Sequence, residues 1–322
     1  MKIRYIVITV IIFLSITTML AACSETADIF PPSEQEPLDY ITIRGVSYSI
    51  ELTGIHLADM DLSNEDIVSL RYMTNLTWLV LFGNQISDLT PLSGLVNLNS
   101  LELGDNRVSD LTPLSGLINL TELSLWENQI SDLTPLKSLV NLNKLYLDDN
   151  QISSLTPLRG LVNLTELSLW GNEISELTSL SGLYNLRTLY LDDNQVSDLA
   201  PLRDLINLAY LSLWGNKISS LEPISRLSSL TNLVLIDNQI NGFEDIANLT
   251  NLEELYLGEN QISDLTPILS LVNITSLDLS GNQIRDLTPL SNSTNLTALF
   301  LHNNPISDWS PVEHISNVSG RP

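Results

Sequence analysis

Three tryptophans, Trp126, Trp170 and Trp214, recur at intervals of 44 residues, and Asp148 and Asp192 fall midway between them. Slots of the same kind hold Trp78, Phe82, Tyr146, Tyr190, Tyr210 and Tyr256, with the acids Glu122 and Glu166 among them. Four of the chain's five tryptophans are in this set, a concentration that argues for a binding surface. Indoles and phenols supply much of the energy of protein recognition. Carboxylates beside them would select a basic or hydroxyl-rich partner. Two other readings remain open: repeat duplication copies tryptophans without a role, and aromatics suit strands in general. Bond-making chemistry finds no comparable set. The histidines are His56, His302 and His314, and the first two sit at opposite ends of the patterned region. Cys23 is the one cysteine, so no disulfide framework or thiolate metal site exists. The pairs Asp148-Asp149 and Asp192-Asp193 have oxygen ligands that suit calcium, but no EF-hand spacing accompanies them. No enzyme activity, cofactor or resident metal is expected.

A strict period positions these side chains. Asparagine returns every 22 residues, at Asn84, Asn106, Asn128, Asn150, Asn172, Asn194, Asn216, Asn238, Asn260, Asn282 and Asn304. Each closes the frame L-x-x-L-x-L-x-x-N-x-[IV], as in Leu76, Leu79, Leu81, Asn84 and Ile86. The L-x-L alternation points both leucines to one side of a short strand and the residues between to the other. One unit cannot bury its leucines, whereas stacked units share a continuous core. The strands are then parallel neighbours, and two steps separate successive tryptophans by about 10 Å. The asparagine amide satisfies backbone groups that the turn after the strand would orphan, giving a structural ladder.

The second half of each unit reads S-D-L-T-P-L-S-G-L-V-N-L, as at residues 87–98. Proline recurs in it at Pro91, Pro113, Pro135, Pro157, Pro201, Pro223, Pro267, Pro289 and Pro311, so the segment is no continuing strand. A short 3₁₀ turn fits its length. Turns wider than strands predict a curved array with the strands inside the curve.

The segment N-Q-I-S-D-L-T-P-L-S-G-L-V-N-L, residues 84–98, resembles the 22-residue leucine-rich repeat of the internalin family of bacterial surface proteins. The resemblance spans roughly residues 50–310. It implies an α/β-type solenoid: a leucine-rich-repeat horseshoe with a parallel β-sheet on the concave face and short 3₁₀ or irregular turns on the convex face. Residues 39–62 are expected to hold an N-terminal cap and a degenerate first repeat, with Met60 in the asparagine slot. Ile41, Ile43, Val46, Tyr48 and Ile50 alternate as a capping strand or hairpin. Residues 63–309 carry the repeats and residues 310–322 are expected to form a C-terminal cap, with Trp309, Val312 and Ile315 covering the open end of the last coil.

The amino terminus resembles a bacterial lipoprotein signal. Lys2 and Arg4 precede an apolar run at residues 6–19, and Leu20-Ala21-Ala22-Cys23 resembles a lipobox. That implies removal of residues 1–22 and acylation of Cys23; an uncleaved membrane anchor is the alternative. Residues 23–38, acidic with Pro31, Pro32 and Pro37, form a disordered tether in this reading. The net charge of −24 leaves no basic stripe for phosphates and excludes nucleic acid as a partner. Much of the acidity recurs at Asp88, Asp110, Asp132, Asp198, Asp264, Asp286 and Asp308, a slot that reads as solubility. The expectation is a monomeric, lipid-anchored surface protein that binds a protein or peptide on its concave face. A glycan-binding module and a passive envelope scaffold are the alternatives.

Overall fold

The computed structural model describes residues 39–321. The signal segment, Cys23 and the tether lie outside the described residues. Two compact units divide after Ile50. In the first, strands Tyr40–Ile43 (β1) and Val46–Ser49 (β2) pair antiparallel. Arg44 and Gly45 between them have φ of 48° and 80°, the left-handed pair that a two-residue hairpin turn requires.

The second unit carries one parallel sheet of 13 strands in sequence order. It begins with Gly54–His56 (β3), Trp78–Val80 (β4), Ser100–Glu102 (β5) and Glu122–Ser124 (β6). It continues through Lys144–Tyr146 (β7), Glu166–Ser168 (β8), Thr188–Tyr190 (β9), Tyr210–Ser212 (β10) and Asn232–Val234 (β11). Glu254–Tyr256 (β12), Ser276–Asp278 (β13), Ala298–Phe300 (β14) and Asn317–Ser319 (β15) complete it. From β4 to β14 equivalent slots face each other, for example Leu123 with Leu145 and Leu145 with Leu167. The degenerate unit joins in register, with Ile55 opposite Leu79. The terminal stretch supplies a further 3₁₀ turn, Ser310–Val312, and β15, whose Val318 pairs with Leu299.

The leucines do what their spacing requires. Leu123, Leu125, Leu145, Leu147, Leu167 and Leu169 have no exposed surface. Each such burial is worth roughly 1.5–3 kcal/mol. The T-P-L segments form 3₁₀ turns such as Thr90–Leu92 and Thr134–Ser138, with proline at the start, where it has no hydrogen bond to lose. The repeated aspartate has a structural task beyond solubility. Asp88 accepts the Thr90 N–H at 2.8 Å, and Asp110, Asp132, Asp198, Asp264, Asp286 and Asp308 repeat that bond. It closes the backbone ahead of each turn.

The asparagines form the expected ladder. Asn150 Oδ1 accepts the Ile130 N–H at 2.9 Å, and its Nδ2 donates to the Leu125, Leu147 and Asp148 carbonyls at 3.0–3.1 Å. At the degenerate coil, Asn84 accepts the N–H groups of Met60 and Leu62. A second, exposed ladder runs along the return segment: Asn119, Asn141 and Asn163 donate to the carbonyls of Val96, Ile118 and Val140.

Candidate functional site

The strand face has three outward slots per coil. In the first, register brings Glu122, Lys144, Glu166, Thr188 and Tyr210 side by side. In the second, Ser124, Tyr146, Ser168, Tyr190 and Ser212 alternate small and large. The third lies just past the strands. The N–H groups of Glu127, Asp149, Gly171 and Asp193 bond to the carbonyls of Asp148, Trp170, Asp192 and Trp214. Trp126, Asp148, Trp170, Asp192 and Trp214 thus occupy one column over five coils. The three tryptophans are half-buried, neither free in solvent nor sunk in the core.

From β6 to β10, coils with tryptophan in the third slot carry serine in the second, and coils with tyrosine in the second carry aspartate in the third. Ser124, Ser168 and Ser212 are buried in this checkerboard. The Tyr190 and Tyr210 rings sit 5.0 Å apart, tilted by 45°. Trp126 lies back over Gly104, where a Cβ would stand 2.2 Å from Cε2 of the indole. Trp78 covers Gly54 in the same way. The Trp170 indole N–H donates to Asp193 Oδ2 at 3.2 Å, in the next coil. Burial pushes the Tyr146, Tyr190 and Tyr256 phenols up, and that of Tyr210 to about 12, so all four remain protonated at neutral pH.

Asp148 and Asp192 differ from the expectation of open, partner-selecting carboxylates. Asp148 is buried, and its Oδ1 takes the Ser168 hydroxyl and, at 3.0 Å, the Trp170 N–H. Asp192 takes the Ser212 hydroxyl at 2.5 Å and the Trp214 N–H at 2.8 Å. Burial, opposed by these bonds, raises Asp148 to about 7 and Asp192 to about 6. They fix the tryptophan backbones from beneath. One more acid is already engaged: Glu122 pairs with Lys144 at 3.2 Å, while the charge of Glu166 adds to the rise of the Tyr146 phenol.

The family model for leucine-rich repeats in two copies matches residues 74–116, 118–160, 162–204, 228–270, 250–292 and 272–314. No curated protein matches the chain. Among solved structures, internalin InlF of Listeria monocytogenes is 31% identical over 86% of this chain and 89% of its own, with a TM-score of 0.78. This chain is an internalin-like leucine-rich-repeat protein. Internalin C2 of the same organism is 38% identical over 59% of this chain and 85% of its own, with a TM-score of 0.56. A leucine-rich-repeat protein of Leptospira interrogans is 25% identical over 78% of this chain and 80% of its own, with a TM-score of 0.59.

The anionic edge of this internalin-like surface is a column that the spacing of the tryptophans did not expose. The residue before every ladder asparagine has positive φ: Asp105, Glu127, Asp149, Asp193, Asp237, Glu259 and Asn303, with glycine in the remaining coils. A signal was present, since only Gly, Asp, Asn and Glu fill that slot. The first three types tolerate the left-handed region best. Burial and its neighbours Asp105 and Asp149 raise the Glu127 carboxyl. The column passes directly beside the tryptophans. Of the other expected site residues, Trp78 and Phe82 lie toward the β3 end, where Phe82 meets the His56 ring edge-on at 6.1 Å, and Tyr256 lies beyond β11, bonding to Glu254 at 3.1 Å. The histidines stay apart: His56 is in β3, whereas His302 follows β14 and meets Ser319. Among the described residues, no group of three or more His, Cys, Asp or Glu converges to hold a metal, and no helix is long and apolar enough to cross a membrane.

Proposed function

We propose that this protein is a lipid-anchored surface receptor that captures a protein or peptide on its strand face. The observation that carries the reading is the half-exposed column of Trp126, Trp170 and Trp214, held in register over five coils beside acidic side chains. The aromatics around it, Tyr146, Tyr190 and Tyr210, are large, stiff and already packed, so binding costs them little rotamer freedom. A rigid aromatic patch with an anionic edge suits recognition. The likeness to internalins supports a place at the bacterial surface. Acylated Cys23 would supply the anchor, and residues 23–38 would supply reach.

The test is capture of partners from envelope and host-cell extracts by the ectodomain, compared with the W126A/W170A/W214A variant. The expected result is loss of capture with an unchanged unfolding midpoint, because these side chains lie outside the leucine core. Capture that survives the triple change overturns the strand-face assignment. Capture that depends on the tryptophans but persists after protease treatment of the ligand moves the reading to a glycan. Cys23→Ser is expected to release the protein from membranes; full retention would refute acyl anchoring.

A further inference from the structure

We propose that the edge of the solenoid leading into the strands is a membrane-contacting surface, fitted to the headgroup region of an anionic phospholipid bilayer. Only the place at the bacterial surface is carried over from the reading above; the tryptophans and the strand face are not involved.

A ridge of apolar side chains marks this edge. Val96, Ile118, Val140, Val162, Tyr184 and Ile206 fill one slot in six consecutive coils, and each is 46–56% exposed. The exposed asparagine ladder ties them side by side. Asn119, which follows Ile118, donates to the Val96 carbonyl at 2.9 Å, and Asn141, Asn163, Asn185 and Asn207 repeat the link as far as Ile206. Two residues ahead of the ridge stand Gly94, Gly116, Gly160 and Gly182, each with open space where a Cβ would be. At those coils no side chain screens the ridge from that position. Apolar residues scattered singly over a surface are ordinary, whereas six in one row mark a contact surface.

The ladder also prepares the backbone for a drier medium. A carbonyl that enters a lipid interface is costly unless it carries its own donor. Five ridge carbonyls, from Val96 to Tyr184, each have one in the asparagine amide of the next coil.

Charge identifies the occupant. The chain has 38 acids against 14 basic residues. Yet the return segments 93–99, 115–121, 137–143, 159–165 and 181–187 contain Lys137, Arg159 and Arg187 and no acid. All three cations are exposed, and each lies three residues from a ridge side chain. In the next coil Arg203 pairs with Glu222 at 2.8 Å and Asp204 adjoins it, so the positive stretch ends there. The acids Asp110, Glu127, Asp132 and Asp198 follow the strands, at the opposite end from the return segments. Anionic headgroups therefore attract one edge and turn the other away. A second copy of the chain is a poor occupant, since a two-fold contact along the ridge sets Lys137, Arg159 and Arg187 against their counterparts. Hot spots of protein partners fill pockets, and the apolar cleft between Ile268 and Leu296 lies beyond the ridge. A row of evenly exposed, mostly short apolar side chains beside cations matches a lipid interface instead.

The test is sedimentation of the ectodomain, residues 24–322, with vesicles of phosphatidylglycerol and phosphatidylcholine in equal parts, against vesicles of phosphatidylcholine alone. Starting the chain after Cys23 removes any acyl group, so the anchor contributes nothing. Partition onto the anionic vesicles is expected, weakened about tenfold in K137E/R159E/R187E and about as much in I118S/V140S/V162S. These side chains lie outside the core, so circular dichroism melts of both variants should match the wild type. Failure of the wild type to partition onto anionic vesicles, or equal partition onto both kinds, overturns the proposal. So does a serine variant that binds as the wild type does. W126A/W170A/W214A separates the two surfaces: vesicle binding is expected to survive it, and its loss would overturn the assignment to this edge. Tryptophan-dependent partner capture by a protein that ignores anionic vesicles sinks the membrane proposal alone and leaves the strand face standing.

Discussion

Oδ1 of Asp148 receives two donors from the following coil, the Ser168 hydroxyl and the Trp170 backbone N–H. Asp192 repeats the arrangement one double coil later, with Ser212 and Trp214. A buried carboxyl therefore sets the height of a tryptophan on the strand face. Asp148→Ala leaves both donors unpaired and is expected to cost about 2–4 kcal/mol. Chemical denaturation measures that cost, and a loss below about 0.5 kcal/mol would show that the site relaxes without it.

The same two carboxyls give a pH dependence of definite sign. Burial raises Asp148 to about 7 and Asp192 to about 6, so the folded state holds their protons more tightly than the unfolded chain. Their contribution is fully present below the ordinary carboxylate range, near pH 4, and is lost as pH rises to 6–7. For Asp148 the upper bound is about 4 kcal/mol. The turn-capping aspartates act oppositely. The bonds from Thr90, Thr112, Thr134, Thr266 and Thr288 hold Asp88, Asp110, Asp132, Asp264 and Asp286 below the usual range. Their contribution is present above that range and falls away in acid. Thermal melts are expected to peak between pH 4 and 6 and decline toward pH 8. In D148N/D192N the decline above pH 6 should flatten; an unaltered profile would assign it elsewhere.

The inner asparagine ladder is predicted to matter most where it is driest. Asn150 serves four backbone groups and is buried, while Asn304 at the last regular coil is more open. Asn150→Ala strands buried donors and acceptors and should cost about 3 kcal/mol. Asn304→Ala should cost less than half as much, since water replaces the lost partners. Urea unfolding of the two variants compares them, and equal losses would contradict the gradient.

Ser293 interrupts a column of core leucines. Leu249 and Leu271 fill the same slot in the two preceding coils and are buried. The backbone is unchanged, since the Ser293 N–H still reaches the Leu290 carbonyl at 3.0 Å, as Leu271 reaches Ile268. The missing side chain leaves a cleft of about 210 Å³ lined by Ile268, Leu271, Ile274, Pro289 and Leu296. Ser293→Leu should fill it and stabilise the protein by about 2 kcal/mol. A melt shifted downward would mean that the neighbouring coils have closed around the serine.

The sequence told inward from outward with little ambiguity, because leucines such as Leu123 and Leu145 obey both a two-residue and a 22-residue period. The inner ladder was equally readable, since an asparagine at a fixed turn has one economical use. What period alone could not assign was the state of an outward side chain. Asp148 and Glu127 both lie near tryptophans, yet one is buried under cross-coil bonds and the other stands in the left-handed column. That difference depends on which neighbour is small enough to be covered, a property of two coils taken together. The turn aspartates were legible in hindsight from D-L-T, where a carboxylate two residues ahead of an N–H closes an Asx turn. The exposed ladder, Asn119 to Asn163, had the same 22-residue signal as the inner one.

Gly104 tests whether the tryptophan column works as a shaped surface or as loose apolar area. The Trp126 indole rests on this glycine so closely that a methyl group would stand 2.2 Å from Cε2. Gly104→Ala must lift or rotate the ring, since the backbone beneath is fixed by the Asp105 N–H to the Trp126 carbonyl at 2.8 Å. The leucine core is untouched, so the unfolding midpoint should move little, with a loss within about 1 kcal/mol. Tryptophan emission should shift to the red as Trp126 gains solvent. If recognition depends on the fixed positions of the indoles, displacing one should weaken partner capture about tenfold although no aromatic has been removed. Capture that stays at the wild-type level with a red-shifted Trp126 would mean that aromatic area suffices and that the fixed geometry of the column is not what the partner reads.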